Sequence, residues 1–241
     1  MTALAFLIGI CFGSFGNVLI FRVPENRTIL GRSMCMACSR VLKWFELIPV
    51  VSYVVQRATC RSCKSRLSLQ YPIVELASGL LFALAVAQTT SLLLGFLTAI
   101  CLWLLLIIAM IDAKTTYIPD ALNLPLLILA VSLGMFRDGM FLLPMAIGGG
   151  VFLAQWVASG GRAIGSGDII LGAAIGALLG SIPLVILWLL LSYILGSAVA
   201  LILLALKKLT LKSAMPFAPV LGGCAIIVQL YGQEFLRSVG L

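Results

Sequence analysis

Residues 91–111 read SLLLGFLTAICLWLLLIIAMI, and Asp112 follows directly. As a helix this run is about 31 Å long at 1.5 Å per residue, close to the thickness of a bilayer's hydrocarbon core. A backbone in hydrocarbon must satisfy its own polar groups, so a run of this length and apolarity predicts a helix solvated by lipid. The composition of the chain as a whole agrees. Of 241 residues, 62% are hydrophobic and 10% charged, with a mean hydropathy of +1.20. An average soluble domain carries about 25% charged residues, so a soluble globule is excluded.

Working outward, seven further segments meet the same criterion: 2–21, 72–88, 120–136, 139–159, 168–181, 183–206 and 215–232. The shorter ones can span by local bilayer thinning and by snorkelling of flanking residues. The links after the second and fourth of the eight segments are very short, so those neighbours are expected to form antiparallel hairpins. The first segment lacks a basic n-region and an A-x-A-like cleavage site, and reads as a retained helix. The expected fold is an all-α polytopic membrane protein of about eight transmembrane helices. Residues 1–21 form the first helix, 22–71 a small zinc-ribbon-like cytoplasmic domain, and 72–241 a seven-helix membrane core. No repeat of 20–50 residues is evident.

The formal net charge is +8, from 16 Lys and Arg against 8 Asp and Glu. Topology accounts for it. Nine basic residues lie between Arg22 and Arg66, and alternate loops place Lys114, Arg162, Lys207, Lys208 and Lys212 on the same side. Only Arg137 and Arg237 fall on the other. Cytoplasmic loops are enriched in Lys and Arg, so residues 22–71 are expected in the cytoplasm and both termini outside it. The basic charge then requires no nucleic-acid partner; anionic membrane lipid is its expected counterpart.

Cys35-x2-Cys38 and Cys60-x2-Cys63 stand 21 residues apart in the polar insert. Cytoplasmic thiols stay reduced, and two such knuckles can set four thiolates tetrahedrally about a zinc ion. Four sulfurs leave no vacant position for water or substrate, so the expected role is structural: the metal staples a segment with too little apolar content to fold alone. A redox or disulfide pair is the weaker alternative. Cys11, Cys101 and Cys224 lie in apolar helices and read as small hydrophobes.

Histidine is absent, so acid–base chemistry falls to carboxylates, Cys, Lys or Tyr. Six acids lie outside the basic block: Glu75, Asp112, Asp120, Asp138, Asp168 and Glu234. Asp138 and Glu234 sit at non-cytoplasmic helix ends, where solvent explains them. Asp120 follows Pro119, and Glu75 lies one turn after Tyr71-Pro72, both consistent with ordinary helix starts. Asp112 closes the third apolar run and Asp168 opens the sixth, at the same predicted membrane face. Two carboxylates from different helices at one depth can share a proton, one serving as base and the other as acid. Such a pair hydrolyses peptides without His or metal. Gly165 and Gly167, before Asp168, are expected to turn tightly and bring backbone close to a substrate strand.

In this order and company the motifs resemble those of the bacterial type IV prepilin leader peptidases, GxGD-type membrane aspartic proteases. The resemblance runs through Gly13-Ser14-Phe15-Gly16-Asn17, the paired cysteine motifs, Ile48-Pro49-Val50-Val51-Ser52-Tyr53 and Tyr71-Pro72-Ile73-Val74-Glu75. It continues through Asp112, Ile118-Pro119-Asp120, Gly165-Ser166-Gly167-Asp168 and Pro216-Phe217-Ala218-Pro219. It implies cleavage of the short basic leader of type IV prepilins and type II secretion pseudopilins at the cytoplasmic face of the inner membrane. It also implies N-methylation of the new N-terminal residue from S-adenosylmethionine. By position Asp112 and Asp168 match the catalytic aspartates, and the four cysteines match the zinc ligands. The chain departs from the family at Ile170, where Lys is common, and at Gly16 and Leu47. A polytopic transporter with ion-relaying aspartates, or a non-catalytic scaffold of the pilus machine, are the alternative readings.

Overall fold

The computed structural model describes residues 1–137, 139–162, 164–207, 210 and 215–240. Asp138, Lys208 and Lys212, which entered the reading of acids and topology, lie outside the described residues. Regular structure among the described residues is helical, apart from two isolated β-bridges. The long helices are α1 (Thr2–Arg22), α3 (Gln70–Ala87), α4 (Leu92–Thr115), α5 (Asp120–Phe136), α6 (Leu142–Ser159), α7 (Ser166–Leu179), α8 (Ile182–Ala205) and α9 (Ala218–Ser238). A 3-10 turn (Trp44–Leu47) and the short α2 (Val51–Val55) lie between α1 and α3.

Each of the eight predicted segments is a helix. Five of them, α1, α3, α4, α6 and α8, are long and apolar enough to cross a membrane. At 14 residues, α7 is about 21 Å long, short of a bilayer core. Its unbroken buried run from Ala174 to Leu179 marks a helix enclosed by protein. It contacts α5, α6, α8 and α9.

The chain divides into two compact units, Met1–Ala99 and Ile100–Leu241. In the first, α1 and α3 run antiparallel, and small residues set their closeness. A Cβ on Gly9 would come within 2.8 Å of the Gly79 backbone, and one on Gly13 within 2.5 Å of the Glu75 backbone. One turn further on, Asn17 donates to the Tyr71 carbonyl at 3.2 Å. The glycine stripe on α1 is therefore a packing seam.

The second unit repeats the device between α6 and α7. A Cβ on Gly172 would meet Phe152 at 2.5 Å and the Gly148 carbonyl at 2.7 Å. Gly180 ends α7 in the left-handed conformation at φ +68°. Arg137 donates to the Leu178 carbonyl at 3.0 Å, a cation at a helix C-terminus where orphan carbonyls need donors. Trp188 Nε1–H donates to the Leu221 carbonyl at 2.9 Å and ties α8 to α9.

Between α1 and α3 the chain forms two equivalent knuckles, 33–42 and 58–67. Cys35 N–H donates to Arg40 O and Cys60 N–H to Ser65 O, each at 2.9 Å. Ser39 N–H returns to Cys35 O, and Lys64 N–H to Cys60 O. Ser39 and Lys64 both take positive φ, +54° and +59°. This short internal repeat escapes a sequence search because only the two cysteines and the final leucine are common to both copies.

Candidate active site and metal centre

The four knuckle sulfurs lie within 4.8 Å of one another, with Cys35 Sγ and Cys63 Sγ 3.9 Å apart. Zinc–sulfur bonds of about 2.3 Å in tetrahedral array place sulfurs roughly 3.8 Å apart, so the cluster fits a metal such as zinc. The electrostatics agree. Amides of Cys63 and Ser62 pull the Cys60 thiol down to about 6, and those of Ala37 and Cys38 lower Cys35. At Cys38 the Arg40 amide also acts to lower the thiol, but burial and the neighbouring Cys35 and Cys63 prevail and push it up to about 11. Four adjacent thiols cannot all ionise unaided, and a divalent cation removes that conflict.

Glu46 braces the first knuckle. Its carboxylate takes a two-pronged bond from the Arg40 guanidinium at 2.7 and 3.1 Å and the Lys43 amide at 2.9 Å. Arg40 first, then the Lys43 amide, hold this carboxyl well below the usual range.

The predicted aspartates fall together in the second unit. Asp112, near the end of α4, is buried, and its Oδ2 accepts the Ala218 N–H at 2.9 Å, with the Phe217 amide a second donor. A buried carboxylate thus sits at the start of α9, where free amides favour negative charge. Phe217 is fixed in turn by ring contacts with Phe152 and Tyr193 at 6.5 and 6.1 Å. Asp168 occupies the first turn of α7 and accepts the Gly165 N–H at 3.2 Å. The two carboxylates are near enough to act on one another electrostatically.

Gly165 has φ −76° and ψ 154°, extended backbone open to any residue, so the expected tight turn does not draw on glycine's conformational freedom there. A Cβ there would stand 3.4 Å from Asp168 Oδ2, an ordinary van der Waals contact, so the position is open. Gly167 is confined more closely, since a Cβ would lie 3.0 Å from Ile118. Asp120 is exposed in the first turn of α5, consistent with a helix-start role.

One polar group was missed in the sequence. Asn123 of α5 is fully buried and donates to the Gly167 carbonyl at 2.9 Å, anchoring the loop that delivers Asp168; its Oδ1 has no partner among the described residues. The available signal was a lone amide inside an apolar helix, where polar groups are costly.

Comparison with known proteins bears on the same residues. Residues 7–89 match a model described as the bacterial peptidase A24 N-terminal domain, and residues 99–201 match the type IV leader peptidase family. A Pseudomonas putida protein named prepilin leader peptidase/N-methyltransferase is 33% identical, over 98% of this chain and 92% of its own length. The chain belongs to the type IV leader peptidase family. A Bacillus subtilis relative of the same name is 31% identical over 98% of this chain and 96% of its own length. A Myxococcus xanthus relative, also so named, is 38% identical over 72% of this chain and 55% of its own. No solved structure matches. Within this leader peptidase chain, the family's peptidase model covers Asp112 and Asp168, and the N-terminal model covers all four knuckle cysteines.

Proposed function

We propose that this protein is a multi-pass inner-membrane aspartic endopeptidase that removes the short leader of type IV prepilins and pseudopilins at the cytoplasmic face, and N-methylates the residue so exposed. The names of its relatives support both activities. The observation that carries the peptidase assignment is the approach of Asp112 and Asp168, delivered by separate helices and each held by backbone amides.

In this reading one ionised carboxylate takes a proton from water while the other, protonated, donates to the scissile carbonyl oxygen. Collapse of the tetrahedral intermediate expels the amine, protonated by the acid formed in the first step. The space beside Gly165 admits the extended substrate strand. Residues 1–21 serve as the first membrane helix, 22–71 as the cytoplasmic cysteine domain and 72–241 as the catalytic core. Bound at Cys35, Cys38, Cys60 and Cys63, zinc supplies a structural cross-link. S-adenosylmethionine supplies the methyl group when bound. The asymmetry of Lys and Arg between alternate loops supports the sidedness, with lipid headgroups facing the basic insert.

The test is cleavage of a prepilin by membranes holding wild type, Asp112→Asn, Asp168→Asn or Asp120→Asn, with folding verified in each. Loss in the first two variants and retention in the third is expected. Cleavage by either Asp112→Asn or Asp168→Asn at the wild-type rate overturns the dyad.

A further inference from the structure

A cavity of about 430 Å³ lies in the first unit among α1, α3 and the cysteine insert. Small-molecule sites measure roughly 300–1,000 Å³. Phe21, Tyr53 and Tyr71, buried Asn17 and Glu75, and exposed Arg66 are among the residues that line it.

Glu75 is the unexplained member. It is 6% exposed, and the donors that reach it, the Val50 N–H at 2.7 Å and the Ser14 side chain, are both neutral. Among the described residues no Lys or Arg pairs with it, whereas Glu46 on the same wall is engaged by Arg40. A buried carboxylate without a counter-charge is costly. The backbone goes to some length to keep it there. Val50 holds φ +61° and ψ −52°, and Val51 N–H closes on the Pro49 carbonyl at 2.6 Å. This is a γ-turn of the rare, strained hand, at a β-branched residue that disfavours positive φ.

We propose that this cavity binds S-adenosylmethionine, with Glu75 as counter-charge to its sulfonium. The ligand carries a sulfonium and an ammonium against one carboxylate, together with a planar base. The cavity offers a carboxylate lacking a cation, a guanidinium for the ligand's carboxylate, and aromatic faces for both base and sulfonium. This inference rests on the methyltransferase reading above and is independent of the aspartate dyad. In the transfer, the new N-terminal amine, having lost a proton to water, attacks the methyl carbon. The carbon–sulfur pair passes to sulfur, and the methylated ammonium equilibrates with solvent. S-adenosylhomocysteine then lacks the sulfonium charge, so Glu75 favours the donor over the spent product.

The experiment measures equilibrium binding of radiolabelled S-adenosylmethionine to the full-length, zinc-loaded protein in nanodiscs, with S-adenosylhomocysteine as competitor. Wild type should prefer the donor by at least about tenfold, as expected for a charge-assisted contact, and Glu75→Gln should bring that ratio near unity with zinc content retained. Ultraviolet cross-linking of the labelled donor to wild type needs no variant, and should mark a peptide within residues 14–75. An unchanged ratio in a folded Glu75→Gln protein, or a label confined to residues 100–241, overturns the site while leaving the methyltransferase reading intact. A wild type that cleaves prepilin but neither binds the donor nor methylates overturns both.

Discussion

The backbone N–H of Ala218 donates to Asp112 Oδ2 at 2.9 Å, joining residues 106 positions apart in the chain. The Pro216-Phe217-Ala218-Pro219 stretch thereby acquires a physical role: it aims the first amides of α9 at a buried carboxylate. Asp112→Asn keeps an acceptor oxygen for that N–H and removes a buried charge. Its thermal midpoint should equal or exceed that of wild type, while prepilin cleavage falls at least about a thousandfold, as for loss of an essential acid–base group. Calorimetry and cleavage assays on the same preparation check the two halves.

Asn123 should act as a positioning residue. Asn123→Ala leaves the buried Gly167 carbonyl without its donor, at a cost of about 1–3 kcal/mol. Cleavage should slow through kcat, with KM little changed, because the loop carrying Asp168 loses its anchor. A purely structural role would lower the amount of folded enzyme without changing kcat per folded molecule.

Gly172→Val should separate α6 from α7. Its Cβ would overlap Phe152 and the Gly148 carbonyl, and overpacking of this kind costs about 1–3 kcal/mol. Because Asp168 stands one turn earlier on the same helix, cleavage should drop with stability. Gly150→Ala on α6, with nothing within 4 Å of the added Cβ, should leave both unchanged.

Metal removal should be local. A strong chelator should release one zinc per chain and expose residues 22–69 to protease, since the four sulfurs are where the two knuckles meet. Helix content by circular dichroism should fall little. Persistence of the protease-resistant insert after complete metal loss would contradict the structural role.

The Arg40–Glu46 pair sets an acid limit on the same insert. Arg40 holds the folded Glu46 carboxyl below its unfolded value of about 4.3, so its contribution is complete above that pH and is lost as pH falls through the lower, folded value. Glu46→Gln should be less stable than wild type by a constant margin between about pH 6 and 8, and the margin should close below about pH 4. Chemical unfolding of both proteins across that range measures it. A margin independent of pH down to pH 2 would show that the charge plays no part.

Much of this was legible in the residues. Long apolar runs are rare for any other reason, so the eight helices could be located, with the largest error the six residues by which α9 outruns its expected end. Paired C-x2-C motifs limit the possible chemistry so tightly that their spacing announced a four-sulfur site. Asp112 and Asp168 stood out because a carboxylate is costly at membrane depth and each stands at the end of an apolar run.

Other features came only from the folded chain. Nothing in Ala218 or Phe217 as residue types distinguishes them, because what they contribute is backbone N–H, which every residue but proline possesses. Asn123 could be noted as an amide in an apolar helix, but its partner lies 44 residues away. Glu75 passed for a helix-start acid until its burial without a cation was visible, and the equivalence of the two knuckles lies in hydrogen bonds rather than in side chains. Composition and periodicity determine which segments leave water and which residue types carry chemistry, because those are free energies of transfer belonging to each residue. Which amide meets which carboxylate depends on contacts between distant segments, and only the packing of the helices decides them.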